Sequence, residues 1–286
     1  MRRILIVGCG YLGQKVADLF HNVGWKVEGW TLSMESAEAL SGKPYPVYAV
    51  DISNAEQISA RPGNFDAVIH CASTRGGDVD LYRRIYLNGA RKLLDRFSGS
   101  TILLTSSTSV YAQTDGEWVT EASPAEPTHE TGMILRDAEK LVLDQGAGVV
   151  RLGGIYGPGR SYLLTRFLSG EAVVDPKNDR FVNQVHRDDA ATALLLLLHR
   201  QLHRREIYNV VSDQPILQSD CYRWLAVKLN RPEPPTGRLT SKRRRGESNK
   251  RVSNAKLRTL GWAPCYPTFA EAMEKSILPD LSRLGA

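Results

Sequence analysis

Two kinds of segment alternate along the first 157 residues. Short, nearly unbroken apolar runs read as strands: RRILIVG (2–8), KVEGWT (26–31), VYAVD (47–51), FDAVIHCAS (65–73), STILLTSS (100–107) and the start of GVVRLGGIYG (148–157). Between them lie helical patterns over about 11–22 and 79–97, and THETGMILRDAEKLV (128–142) puts Leu135, Leu141 and Val142 on one apolar side. Strands separated by helices predict a parallel sheet covered on both faces, since parallel neighbours need a crossover between them. The fold class is therefore α/β, a doubly wound parallel sheet. Beyond residue 157 the alternation weakens and Pro, Gly and basic loops increase, with helices near 187–200, 219–229 and 268–277. That predicts a first domain over 1–157, rejoined by about 182–210, and a smaller C-terminal lobe over 158–286.

Composition narrows the class. The longest apolar run, AATALLLLL (190–198), is half of the ~20 residues a spanning helix needs, which speaks against a membrane protein. The opening MRRILIVGCGYLG has the arginines and apolar run of a secretion signal, but no small-residue cleavage site follows and Gln14, Lys15 and Asp18 interrupt it; a first strand explains it better. Cys9, Cys71, Cys221 and Cys265 form no CxxC pair and no metal spacing with the histidines, so a reduced, cytoplasmic protein without structural metal is expected. The net charge of +6 has one source: residues 238–258 carry nine Lys/Arg against Glu247, and SKRRRGESNKR within them reads as a flexible loop.

The chemistry begins at GCGYLG (8–13). Its G-x-G-x-x-G spacing directly ends an apolar strand and opens a helix, the context a dinucleotide site requires. Gly8 permits the tight turn, Gly10 admits a pyrophosphate to the backbone, and Gly13 lets helix and strand pack closely; Tyr11 and Leu12 lead the helix whose amides would face the phosphates. The sheet is thus Rossmann-like, and the C-terminal lobe is the expected substrate-binding part. NAD sites usually end their second strand on an acidic residue. Here that end reads Thr31, Leu32, Ser33, while Glu28 sits inside the strand, so NADP is favoured over NAD. The usual arginine partner of a 2′-phosphate is missing at Leu32.

Further landmarks, in order from residue 3 to about 195, resemble the extended short-chain dehydrogenases/reductases, the NAD(P)-dependent epimerase/dehydratase group acting mostly on nucleotide sugars. Asp51-Ile52 matches the acidic-apolar pair placed beside adenine. HCAST (70–74), with Cys71, Ala72 and Ser73, takes the place of the fourth-strand loop against the cofactor. YLNGARKLL (86–94) supplies Asn88, TSSTSVYA (105–112) the serine-rich strand end with Ser106 and Ser107, RLGGIYGPGR (151–160) the Arg-to-GPG segment, and VHRDDAATAL (185–194) the later His/Asp helix start; KRVSNAKLRTLGW (250–262) fits more loosely.

The resemblance implies a Tyr and a Lys four residues apart on the helix after the serine strand, one turn apart and facing the nicotinamide. A glutamate eight residues after that tyrosine corresponds to Glu139, which puts Thr131 at the tyrosine and Leu135 at the lysine. A hydroxyl is a far weaker acid than a phenol, and leucine carries no charge. No tyrosine lies between Tyr111 and Tyr156, so no shift of register restores the pair, and Tyr11–Lys15 lies inside the phosphate turn. The chain resembles an atypical member of the group.

Ser107 is the remaining candidate to orient a substrate oxygen, against the alternative that it bonds local backbone. Thr131 offers a hydrogen bond. Glu130 and His129 titrate nearer neutrality but equally suit a helix start. Thr74, Tyr156, Arg160 and His186 are candidates to line the substrate site; Arg160 and the His186–Asp188–Asp189 group also read as loop anchor and helix start. The expected activity is an NAD(P)-dependent oxidoreductase or epimerase/dehydratase-like reaction on a small polar molecule, a nucleotide sugar or an anionic sugar derivative among the options. The competing reading is a non-catalytic, dinucleotide-binding redox sensor. A homodimer through the helices near 79–97 and 130–145 is a further expectation. For the basic loop, a solvated face ranks first, substrate phosphate next and nucleic acid last, since no aromatic residues interleave the charge.

Overall fold

The computed structural model describes residues 1–74, 76–200, 204–238 and 248–284. Its centre is a seven-stranded sheet of β1 (Arg3–Val7), β2 (Lys26–Thr31), β3 (Val47–Ala49), β4 (Ala67–His70), β5 (Thr101–Ser107), β6 (Gly148–Leu152) and β7 (Ile207–Val210). All neighbours pair in parallel, in the order 3-2-1-4-5-6-7. The order reverses between β1 and β4, which opens a crevice beyond the carboxyl ends of those two strands.

The pleat explains why both strand faces are apolar. In β1, Ile4 and Ile6 point into one core cluster and Leu5 and Val7 into another. The first cluster receives Val16 and Phe20 from α1 (Tyr11–Asn22) and Ala190, Leu194 and Leu197 from α4 (Arg187–His199). The second receives Ile85, Ala90 and Leu93 from α2 (79–96), and Ala138 and Val142 from α3 (Glu130–Asp144). In α2, a π-helical stretch, Arg83–Asn88, interrupts the α-helical ladder between Val79–Tyr82 and Gly89–Arg96.

After β6 the chain leaves the sheet at Gly153. Gly154–Tyr156 then pairs in parallel with Gln184–His186 as a separate ribbon. A third apolar cluster joins Leu163, Leu164 and Phe167 to Leu225 and to Phe269, Met273 and Ile277. The chain returns to the main sheet as β7, directly beside β6, so residues 153–206 are an excursion between two neighbouring strands. The basic positions Lys242 to Arg245, and with them most of the expected flexible loop, lie outside the described residues. Among the described residues no helix is long and apolar enough to cross a membrane.

Candidate functional site

Parallel strands end on the same side, so the loops after β1, β2, β3, β4 and β5 gather along one edge. This brings together Gly8–Gly13, Thr31 with Ser33, Asp51 with Ile52, Cys71 to Thr74, and Ser106 with Ser107.

The glycine turn divides into closed and open positions. Gly8 has φ +88°, and a Cβ there would lie 2.3 Å from the Ala72 amide nitrogen. A Cβ on Gly13 would lie 2.2 Å from the Gly8 carbonyl oxygen. Only hydrogen fits at either place. At Gly10 a Cβ meets nothing within 4 Å. Gly10 caps α1, no side chain bonds its leading amides, and the first turn holds no acidic residue. Unmatched donors at a positive helix end beside open space suit a phosphate. The residues present therefore fit a dinucleotide.

The flanking positions are held by local bonds. Thr31 Oγ1 donates to the Ser33 carbonyl at 3.2 Å, and Ser33 caps the short helix Met34–Glu38. Leu32 between them is 71% exposed. Glu28 is buried and accepts from Trp30 Nε1 at 2.8 Å and from Arg61. The acid of β2 is thus occupied inside the sheet. Asp51 accepts from the Ser53 amide at 2.8 Å, and Ile52 lies buried where a Cβ on Gly89 would come within 2.8 Å of it. Asn88 is half-buried at the end of the π-helical stretch, immediately before that glycine. Cys71 is half-buried, and burial raises its thiol well above the ordinary range.

Below the serine strand lies a network that the sequence reading used only to set a register. Glu139 is fully buried and accepts from Arg151 Nε at 3.0 Å and Nη2 at 2.7 Å, from Ser106 Oγ at 2.6 Å, and from Arg136. Arg151 also donates to the Tyr111 hydroxyl at 2.8 Å, which in turn donates to Asn209 Oδ1 at 2.9 Å. An arginine in the middle of the apolar run GVVRL was the available signal, because a charge inside a buried strand requires a partner. Ser106 is consumed by this network. Ser107 sits at the strand end and accepts from the Ser109 amide at 3.1 Å. The hydroxyl proton of Ser107 is not used by that bond.

On α3, Thr131 is half-buried in the first turn and Glu130 beside it is exposed. Leu135 is 3% exposed and packs with Val110, Tyr111, Val119, Val211 and Val252. Leu135 is thus an apolar plug in this cluster. His129 caps α3 without a side-chain bond to it, its ring lying over Gly132.

The substrate-lobe candidates are more enclosed than the sequence suggests. Tyr156 is 1% exposed, its ring among Phe269 and His186. His186 is fully buried; its Nδ1 accepts from the Asp188 amide at 3.2 Å and its Nε2 meets Ser276 Oγ at 3.0 Å. Burial pushes its pKa down to about 4. Neither ring is presented to a ligand in this conformation. Arg160 reaches the phosphate turn: its guanidinium lies 5.3 Å from the Tyr11 ring, with Arg187 at 4.9 Å. Tyr11 donates to the Pro158 carbonyl at 3.0 Å, so the GPG loop is tied to the glycine turn. Burial raises the Tyr11 phenol despite both arginines. Asp188 bridges to Lys15 at 3.1 Å, while buried Asp189 holds the Cys265 and Tyr266 amides and rises to about 6.

Protein YeeZ of Escherichia coli (strain K12) is 28% identical over 280 residues, covering 93% of this chain and 97% of its own. A Methylobacillus flagellatus structure provisionally assigned to the NAD-dependent epimerase/dehydratases superposes with a TM-score of 0.76 at 25% identity, over 100% of this chain and 99% of that one. The dTDP-glucose 4,6-dehydratase of Bacillus anthracis str. Ames, solved in complex with NAD, reaches 0.82 over 99% and 97% of the two chains, but at 16% identity it speaks for the fold alone. The sequence pattern of the NAD dependent epimerase/dehydratase family matches residues 4–210, from the first strand to the last. With the glycine turn, the serine strand end and the seven-stranded order all in place, the chain belongs to the NAD dependent epimerase/dehydratase family.

Proposed function

We propose that this protein is an NADP(H)-preferring oxidoreductase or epimerase/dehydratase-like enzyme on a small polar, sugar-derived substrate, working without the usual Tyr–Lys dyad. One contrast carries the reading: Gly8 and Gly13 are sealed against backbone while Gly10 stands open at an uncapped helix start. The preference for NADP(H) rests on Thr31, Leu32 and Ser33, which bring no carboxylate to the end of β2, and on the sequestration of Glu28.

When bound, the dinucleotide supplies hydride exchange at its nicotinamide ring. The amides of the turn would hold its pyrophosphate, and Arg160 and Arg187, gathered on Tyr11, would add positive charge at the turn. Ser107 donates its free hydroxyl proton as a hydrogen bond to a substrate oxygen. Leu135 supplies nothing to this chemistry.

Leu135 also favours a second reading, a redox sensor that holds the dinucleotide without turnover, because an apolar plug excludes charge from the dyad position. Calorimetry with NADP+, NADPH, NAD+ and NADH, followed by NADPH oxidation with sugars, nucleotide sugars and keto acids, separates the two. Enzyme chemistry predicts turnover with at least one carbonyl class. Absence of turnover, together with a clear difference in affinity between NADP+ and NADPH, selects the sensor. No binding of any dinucleotide overturns both.

A further inference from the structure

The crevice that suits a dinucleotide lies beyond the carboxyl ends of the strands. At the opposite edge of the sheet a cavity of about 540 Å³ opens to solvent, within the ~300–1,000 Å³ of small-molecule sites. It runs beneath the amino ends of four adjacent strands. Tyr45 and Pro46 precede β3, Trp25 and Lys26 stand at the start of β2, Arg3 opens β1, and Phe65 precedes β4. A strand rises ~3.3 Å per residue, so about 13 Å of β1 separates Arg3 from Val7, after which the glycine turn begins. The cavity and the crevice are separate places.

Its lining is of two kinds. Trp25, Val27, Tyr45 and Phe65, each no more than 7% exposed, form an apolar and mostly aromatic floor. Cations stand over two of these rings: Arg2 lies 5.4 Å from the centre of Trp25, and Arg3 4.9 Å from that of Phe65. Arg3 and Lys26 are register partners on β1 and β2, so their side chains leave the sheet on the same face. Cations opposed at the ~4.8 Å spacing of neighbouring strands repel one another, and an anion between them relieves that cost. The carboxylates around the cavity are committed elsewhere. Asp66 accepts the Arg3 amide at 2.6 Å, and Glu28 accepts from Trp30 Nε1 and pairs with Arg61. Asp18 takes the Tyr45 hydroxyl at 2.6 Å and pairs with Lys43. Among the described residues no carboxylate lies within ion-pair distance of Arg3 or Lys26; Arg3 Nη1 donates to Asn64 Oδ1 at 2.5 Å.

We propose that this cavity is a second ligand site, for a ring-bearing organic anion whose charge sits between Arg3 and Lys26 and whose ring packs on the aromatic floor. Offset stacking on such a floor favours a flat ring. A nucleoside monophosphate and an aromatic carboxylate share this chemistry, and the test distinguishes them. The site stands independently of the catalytic reading, because none of its residues belongs to the crevice.

The experiment is calorimetry on the full chain, with and without saturating NADP+. The probes are adenosine 5′-monophosphate and indole-3-acetate, each set beside its neutral counterpart, adenosine or indole-3-ethanol. One of the two anions is expected to bind at least tenfold more tightly than its counterpart, and to do so with NADP+ present. Lys26→Glu and Arg3→Gln should each weaken that binding about tenfold, equivalent to about 1.4 kcal/mol, while NADP+ affinity and the far-ultraviolet spectrum stay as in the parent. Gly10→Val, altered only at the crevice, should bind the anion as the parent does. Binding of neither anion, equal binding of the neutral counterpart, or full affinity in both charge variants overturns the proposal. So does loss of the anion on adding NADP+ or in Gly10→Val, since either result places it in the crevice. Failure of NADP+ to bind the parent would instead overturn the functional reading, and the anion titrations would still decide the second site.

Discussion

Arg151 on β6 and Glu139 on α3 meet in a two-pronged ion pair, at 3.0 and 2.7 Å, with neither side chain more than 1% exposed. Two charges so deep in the fold are stable only together. Glu139→Ala leaves a buried guanidinium uncompensated and should cost about 3–5 kcal/mol. Replacing both by apolar residues of similar size, Glu139→Leu with Arg151→Met, should restore most of that loss, because the desolvation of both ions disappears with them. Urea unfolding of the two single variants and the double measures this. A double variant as unstable as the sum of the singles would mean that the pair is not the coupled unit its geometry implies.

The glycine turn predicts a separation of folding from binding. Gly13→Ala drives a methyl into the Gly8 carbonyl and should destabilise the protein by about 1–3 kcal/mol. Gly10→Val enters open space and should cost only what a poorer helix cap costs, about 1 kcal/mol. The same valine occupies the approach to the helix amides, so NADP+ affinity should fall at least tenfold, about 1.4 kcal/mol or more. Thermal unfolding without ligand, set beside calorimetric titration, reads both effects. Equal NADP+ affinity in Gly10→Val and the parent would remove the phosphates from this turn.

His70 links stability to pH. Its ring is buried, stacks on Tyr86, and its Nε2 bonds the Ile85 carbonyl at 3.0 Å inside the π-helical stretch. Burial lowers its pKa to about 4, with the Ile85 bond opposing in part. Below pH ~6.5 the unfolded chain binds a proton at this residue that the folded chain refuses. The contribution is therefore fully present above that pH and is lost as pH falls from ~6.5 towards 4. His70→Gln keeps a donor for Ile85 but does not titrate. The stability of the parent minus that of this variant should drop by up to about 3 kcal/mol across that window. A flat difference from pH 7 to 4 would show that the ring is protonated freely in the fold.

Why some of this was legible in advance is a matter of range. The strands could be read because a strand buried on both faces must be apolar at consecutive positions, as ILIV in β1 and AVI in β4 show. Gly8, Gly10 and Gly13 could be read because their roles are set by neighbours within a few residues. The expectation for Thr131 and Leu135 came from counting back from Glu139, and all three lie on the one helix α3. Tertiary placement was another matter. Nothing near Tyr156 or His186 in the chain announces that both lie enclosed, since the groups that cover them, Phe269 and Ser276, come from the far C-terminus. Lys250 was hidden by its company: among so many exposed-looking cations, composition does not reveal that one turns inward, to 5% exposure.

The plug at Leu135 gives a last test, of whether the position proposed for the dyad lysine tolerates a charge. Leu135 lies in an apolar cluster with Val110, Tyr111 and Val252. Leu135→Met keeps volume and polarity and should cost less than about 1.5 kcal/mol. Leu135→Lys strips a buried contact and buries a charge, so a loss of about 2–5 kcal/mol is expected unless the chain bends to reach water. Adding Thr131→Tyr should not confer NADPH oxidation on a lysine so placed, because the cluster around it is packed for a hydrocarbon. Stable Leu135→Lys protein, with turnover appearing in the Thr131→Tyr combination, would show the opposite: a frame still shaped for the dyad, from which only two side chains are missing.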